Sequence, residues 1–137
     1  MGWVLVLGAS SGFGAASARA FARAGYDIAG VHLDRRNAQP QIDALVAEIE
    51  GMGRRIKLFN TNAADDERRG EVLTELGALI GAGELKVLLH SLAFGTLSAY
   101  FGPKPASRKQ IEMTLDVMAH SLVYWAQGVV SAGLMGD

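Results

Sequence analysis

Gly8, Gly12 and Gly14 stand where two incompatible patterns meet. Before them runs Trp3-Val4-Leu5-Val6-Leu7, an unbroken apolar stretch of strand length. After them, residues 15–24 are rich in alanine and suit a helix. A chain passing from strand to helix within so few residues must turn sharply, and glycine permits that because it has no Cβ. The first turn of the following helix leaves backbone N–H groups unpaired and carries partial positive charge, so it attracts phosphate. A turn without Cβ atoms also lets a pyrophosphate come close to the backbone. The run Gly8-Ala9-Ser10-Ser11-Gly12-Phe13-Gly14 therefore fits a dinucleotide-binding turn. The plainer alternative is a glycine-rich connection that holds nothing; a position after a strand and before a helix favours the first.

The same alternation continues along the chain. Residues 3–7 read as the first strand and 12–24 as the first helix, with Gly25 as its C-terminal cap. Residues 27–33 read as the second strand. Pro40 opens a second helix, where its missing N–H costs nothing. Ile42, Leu45, Val46 and Ile49 recur there at helical spacing, and Gly51 and Gly53 stop it. Residues 56–59 form a third strand. Val72, Leu73, Leu76, Leu79 and Ile80 mark one face of a third helix ended by Gly81 and Gly83. Residues 85–90 are nearly all apolar, as a strand buried on both faces should be. A loop over 93–106 leads to Ser107 and Gln110, spaced as a capping box for a last long helix. Ile111, Leu115, Met118 and Leu122 are expected to be its buried stripe, with Tyr124 and Trp125 as packing residues. Strand–helix alternation with short connections implies an α/β fold, a parallel sheet with helices on both faces. The 137 residues fit one domain, 1–137.

Composition narrows the function classes. Half of the residues are hydrophobic, enough for a real core, and the formal net charge is −1 with acids and bases intermingled. No basic stripe points to nucleic acid. Arg54, Arg55 and Lys57 read as a solvated entry to the third strand. The sequence has no cysteine, which removes disulfide and thiolate chemistry and is compatible with a cytoplasmic setting. The N-terminal apolar run is too short for a signal peptide and lacks a positive leading region. Val6 occupies the position where a myristoylation signal needs Ser or Thr. No stretch is apolar for long enough to span a bilayer, so no membrane partner is expected.

The glycine spacing is not the usual dinucleotide pattern of one residue and then two. Gly8-x-x-x-Gly12-x-Gly14, with Ala9-Ser10-Ser11 inside it, closely resembles the short-chain dehydrogenase/reductase family. The resemblance spans essentially the whole chain but only the first half of a typical member. Leu7 stands where the family usually has Thr, a departure that leaves the fold reading intact. The resemblance implies a Rossmann-type doubly wound parallel sheet of order 3-2-1-4. The cofactor would cross the strand C-terminal ends at the switch between strands 1 and 4. It also implies an oxidoreductase moving a hydride between a nicotinamide and a carbonyl or enoyl group. Partners would be a small-molecule substrate, acyl thioesters among them, and further copies of the chain in a homo-oligomer (dimer or tetramer).

The site expectations follow residue by residue. Gly8, Ser10, Ser11, Gly12, Phe13 and Gly14 would form the cofactor turn. Asp34 follows Gly14 by twenty residues, about where an acid bonds the adenosine ribose 2′-hydroxyl. Arg35 and Arg36 would instead suit a 2′-phosphate through their forked donors. In the family the selecting acid falls nearer His32, which is not acidic, so NADP(H) is expected over NAD(H), and His32 is expected to be a strand-end surface residue. Asn62-Ala63 resembles the family's Asp–aliphatic pair at the adenine, with a turn-forming Asn as the alternative. His90-Ser91-Leu92-Ala93 replaces the common Asn-Asn-Ala-Gly and is similar to the enoyl-acyl-carrier-protein reductase branch, where it lines the nicotinamide ribose. Alternatively, His90 and Ser91 simply satisfy each other. His120-Ser121-Leu122 also resembles that branch. No metal role is expected for His90, which has no second ligand at a sensible spacing.

Met118 falls where the family carries a proton-relay Asn or the reductases a Ser. His120 is either a substitute or a surface residue. The family's catalytic Tyr and Lys, separated by three residues, belong on a helix after a fifth strand, where the Lys lowers the Tyr pKa. Neither Tyr100 nor Tyr124 is assigned that role, and no catalytic residue is assigned in this chain. Gly136 and Asp137 fall about where the fifth strand should begin, so the expectation is a piece of a longer reductase. The fourth strand should then pair with a further segment or another chain, because an open apolar edge invites aggregation. The alternative is a non-catalytic nucleotide-binding or scaffold module.

Overall fold

The computed structural model describes residues 1–137. Strand β1 (Trp3–Leu7) is buried along its whole length. Side chains alternate across a strand, so Trp3, Leu5 and Leu7 enter one core while Val4 and Val6 enter another. A strand apolar on both sides needs a helical layer on each, and the chain supplies both.

Helix α1 (Gly12–Arg23) presents Ala15, Ala18 and Ala22 to the second core, and α2 (Gln39–Gly51) adds Leu45 and Ile49. Across the sheet, α3 (Asp66–Leu79) contributes Val72 and Leu76, and α5 (Ser121–Ser131) contributes Trp125 and Val129. Strands β2 (Asp27–His32), β3 (Ile56–Asn60) and β4 (Leu85–His90) complete a four-stranded sheet in the order β3-β2-β1-β4. Every pairing is parallel. This is the fold class and strand order expected. No helix is long and apolar enough to cross a membrane.

Three local expectations need correction. Arg54 and Arg55 are not simply solvated. The Arg55 backbone N–H and guanidinium donate to Asp27 at 2.9 and 2.8 Å, joining β3 to β2, and its guanidinium lies 4.8 Å from the Trp3 ring centroid. Arg54 Nη1 donates to the Gly25 carbonyl at 3.0 Å. Burial pushes the Asp27 pKa up, but these bonds and the charge of Arg55 outweigh it and hold the carboxyl below its usual range. On α3, Leu79 is exposed while Val72, Leu76 and Ile80 are buried.

The last helix is two α segments, α4 (Arg108–Leu115) and α5, joined by a π-turn over Asp116–His120. Its capping box is complete, with Ser107 Oγ accepting from Gln110 N–H and the Gln110 side chain accepting from Ser107 N–H. The expected stripe of Ile111, Leu115, Met118 and Leu122 is exposed. Ser121, Trp125 and Val129 are buried instead. The indole explains this: Trp125 is fully buried and its Nε1–H donates to the Ala63 carbonyl at 2.8 Å, which fixes the adjoining face of the helix against the core.

The sheet continues past β4 at one point. Met135 bridges Leu85 in parallel, with Leu85 N–H donating to the Leu134 carbonyl and Gly136 N–H donating to the Leu85 carbonyl, both at 2.9 Å. The rest of β4, Lys86 to His90, is half-buried.

Candidate functional site

β1 and β4 are neighbours whose chains leave the sheet on different paths. Beyond Leu7 the backbone turns into α1; beyond His90 it enters an irregular loop. A cleft of about 680 Å³ opens at these strand ends. That is within the ~300–1,000 Å³ typical of small-molecule sites.

The glycine turn forms one wall. Gly8 has φ +87°, and its N–H and that of Ala9 both donate to the Val31 carbonyl, at 2.8 and 3.1 Å. Ser91 N–H donates to the Leu7 carbonyl at 2.8 Å, bringing β4 alongside. A Cβ on Gly8 would collide with the Ser91 carbonyl, and one on Gly14 with the Gly8 carbonyl. Gly8 lines the cleft; Gly14 is buried beneath the turn and does not. Gly12 lies in the cleft wall with open space where a side chain would be. Ser10, Ser11 and Phe13 line it too, and Phe13 is 88% exposed. Ser11 caps α1 with extended backbone but no side-chain bond, so no side chain takes up the first N–H groups of that helix. The Ser10 carbonyl accepts from Gln41 Nε2 at 3.0 Å, tying the turn to α2.

At the end of β2, Leu33 and Asp34 line the cleft, whereas Arg35 and Arg36 are exposed outside its lining. His32 is not a surface residue: it is 6% exposed, and its Nδ1 lies 3.0 Å from Asp34 Oδ2. Asn60 grips the Asp34 backbone from both sides. Its Oδ1 accepts from Asp34 N–H and its Nδ2 donates to the Asp34 carbonyl, each at 3.0 Å.

After β3, Asn62 lines the cleft and also forms the turn, its Oδ1 accepting from Ala64 N–H at 2.9 Å. Ala63 is buried under Trp125 and faces no cleft; Ala64 and Asp65 line it instead.

After β4, Ser91, Leu92 and Ala93 line the cleft, and His90 does not. The partner of His90 is Ser121 rather than Ser91, with Nε2 2.8 Å from Ser121 Oγ. Ser121 donates its one proton to the Val117 carbonyl at 2.6 Å, so His90 Nε2 must be the donor in the first contact. Burial depresses the His90 pKa, outweighing the backbone acceptors that favour the charged ring.

The π-turn closes the remaining side, where Asp116 and Val117 join Met113 and Phe94 in the lining. Sequence reasoning missed these four and also Leu33, Ala64 and Asp65; a π-turn leaves no spacing signature. Met118 is exposed outside the lining, and His120 is exposed with Nδ1 3.5 Å from Asp116 Oδ1. Tyr100 is followed four residues later by Lys104, a spacing the sequence reading passed over. Gly102 and Pro103 keep that segment out of a helix, so the two side chains share no helix face, and neither lines the cleft.

A parallel sheet with a glycine turn at its first strand and a cleft at the β1/β4 switch defines a Rossmann-type α/β protein. The family model described as Enoyl-(Acyl carrier protein) reductase matches residues 8–137. The chain belongs to this family, within the short-chain dehydrogenases/reductases. No curated protein matches the sequence.

Among solved structures, a 3-oxoacyl-[acyl-carrier protein] reductase from Brucella melitensis in complex with NAD is similar at 23% identity and TM-score 0.80, over 99% of this chain and 50% of that one. A variant short-chain dehydrogenase/reductase from Serratia marcescens reaches TM-score 0.82 at 19% identity, over 99% and 51%. The L-sorbose reductase from Gluconobacter frateurii, complexed with NADPH and L-sorbose, gives TM-score 0.80 at 20% identity, over 96% and 47%. At these identities the likeness establishes the fold. The chain spans about half the length of these structures.

Proposed function

We propose that residues 1–137 are the cofactor-binding half of an NADP(H)-dependent oxidoreductase acting on a carbonyl or enoyl substrate, acyl thioesters among them. The observation that carries this reading is the cleft itself. It lies at the β1/β4 switch, walled by a turn whose Gly12 leaves open space beside helix N–H groups that no side chain occupies. A dinucleotide fits that cradle: the turn Ser10–Phe13 would receive the pyrophosphate, Asp34 and Asn62 the adenosine end, and Ser91–Ala93 the nicotinamide ribose. When bound, the nicotinamide supplies the hydride. Asp34, Asp65 and Asp116 put negative charge on the lining, so phosphate attraction must come from α1 and its backbone donors.

NADP(H) is the preferred form in this reading. Arg35 and Arg36 are exposed next to Asp34, whose carboxylate already accepts from His32. A reading with NAD(H) has one observation in its favour, the place of Asp34 in the lining, where it could accept from a 2′-hydroxyl. We also infer a homo-oligomer from the exposed apolar stripe Ile111, Leu115, Met118 and Leu122. A cytoplasmic setting is supported by the cysteine-free sequence. The reading as a binding module without turnover rests on the absence of any Tyr or Lys from the cleft lining.

The test is a fluorescence titration with NADPH and NADH, followed by NADPH consumption with enoyl and 3-oxoacyl thioesters. Saturable binding is expected, with NADPH the tighter. Gly12→Asp should weaken it about tenfold or more without unfolding, because a carboxylate at open, positive-φ Gly12 opposes phosphate where it meets the helix. Binding without consumption would favour the module; no binding of either dinucleotide would overturn the proposal.

A further inference from the structure

His32 is a buried imidazole at the C-terminal end of β2, 6% exposed, beside the cleft. A polar ring so buried is costly unless bonded. Its Nδ1 lies 3.0 Å from Asp34 Oδ2. An ionised carboxylate has no proton to give, so Nδ1 is the donor. Asn60 meanwhile fixes the Asp34 backbone through two bonds of 3.0 Å. With the backbone pinned, the remaining freedom of Asp34 is its side-chain rotation, and His32 is the group that holds it. The cleft-lining carboxylate is therefore not a free charge: one of its oxygens is committed to a donor within the protein.

We propose that His32 is a positioning residue that sets the choice between a phosphorylated and an unphosphorylated adenosine ribose by holding the Asp34 carboxylate. The inference rests on the dinucleotide reading of the cleft. A held carboxylate with one oxygen occupied repels a neighbouring phosphate less and competes less for the exposed guanidiniums of Arg35 and Arg36. A carboxylate released from His32 is free to turn into the cleft, where it opposes a 2′-phosphate and accepts from a 2′-hydroxyl. The residue at the strand end would thus favour NADPH without touching it.

The experiment compares dissociation constants for NADPH and NADH in wild type, His32→Phe and His32→Asn, each also in an Asp34→Asn background. Phe keeps the buried ring but removes the donor; Asn returns an N–H close to the place of Nδ1. His32→Phe should shift the affinity ratio toward NADH about fivefold to tenfold, the worth of an ordinary intramolecular hydrogen bond. His32→Asn should hold the ratio within about twofold of wild type. In the Asp34→Asn background the shift should vanish, since no carboxylate is left to hold. A general loss of structure would weaken both dinucleotides together and leave the ratio unmoved. An unchanged ratio in His32→Phe, or a shift that persists without the Asp34 carboxylate, overturns the proposal while leaving the cleft a dinucleotide site. Failure of wild type to bind either dinucleotide overturns the underlying reading and this one with it. Should His32→Phe not fold, His32→Leu tests the same loss of donor.

Discussion

Gly14 and His90 show how single residues shape the cleft from outside it. Gly14 lines nothing, but a Cβ there would strike the Gly8 carbonyl, so α1 could no longer press against the end of β1. Gly14→Ala should destabilise the protein by about 3 kcal/mol or more, beyond ordinary overpacking because the obstacle is backbone. Urea denaturation would read this as a lower midpoint at unchanged slope. His90 makes a pH prediction. Its folded pKa is depressed from the ordinary 6.5 by burial, so the unfolded chain takes up the proton first as pH falls. Its contribution to stability is complete above pH 6.5 and is lost as pH falls from there through the lower folded pKa. Thermal midpoints should therefore drop between neutral pH and pH 5 more steeply in wild type than in His90→Gln, and parallel curves would refute this. The glycine turn was legible because its spacing is local. The partners of His90 were not, because Ser121 lies 31 residues away. The partner of His32 is only two residues on, but Asp34 lies past the end of β2, where strand alternation no longer says which side chains share a side.

Elements followed the sequence where a local rule fixes them. β1 and β4 matched their apolar runs, and Ser107 and Gln110 formed the capping box that their spacing implies. The last helix diverged because its buried face is chosen by a tertiary partner rather than by periodicity. Trp125 reaches the Ala63 carbonyl across 62 residues, and Ser121 and Val129 turn inward with it. That bond also ties α5 to the β3–α3 loop, whose Asn62, Ala64 and Asp65 line the cleft. Trp125→Phe keeps most of the ring but strands the carbonyl. It should cost about 1–3 kcal/mol in stability. It should also weaken dinucleotide binding through the loosened loop, which the same titration would detect; wild-type stability and affinity together would contradict the link.

For the whole molecule, the alternation of strands and helices made the parallel sheet legible, and the family resemblance supplied its order β3-β2-β1-β4. The sequence could not distinguish an apolar stripe meant for the core from one meant for a partner. Ile111, Leu115, Met118 and Leu122 are exposed, so we expect light scattering to report a dimer or larger assembly. Leu122→Glu should shift it toward monomer; a wild-type monomer would contradict the oligomer. The central claim is that the β1/β4 switch holds a nicotinamide dinucleotide. Its most direct test is an amide chemical-shift map of the protein titrated with NADPH. The account predicts saturable shifts concentrated at Gly8–Gly14, Leu33–Asp34, Asn62–Asp65 and Ser91–Phe94. An unperturbed spectrum, or shifts centred away from those strand ends, would contradict it.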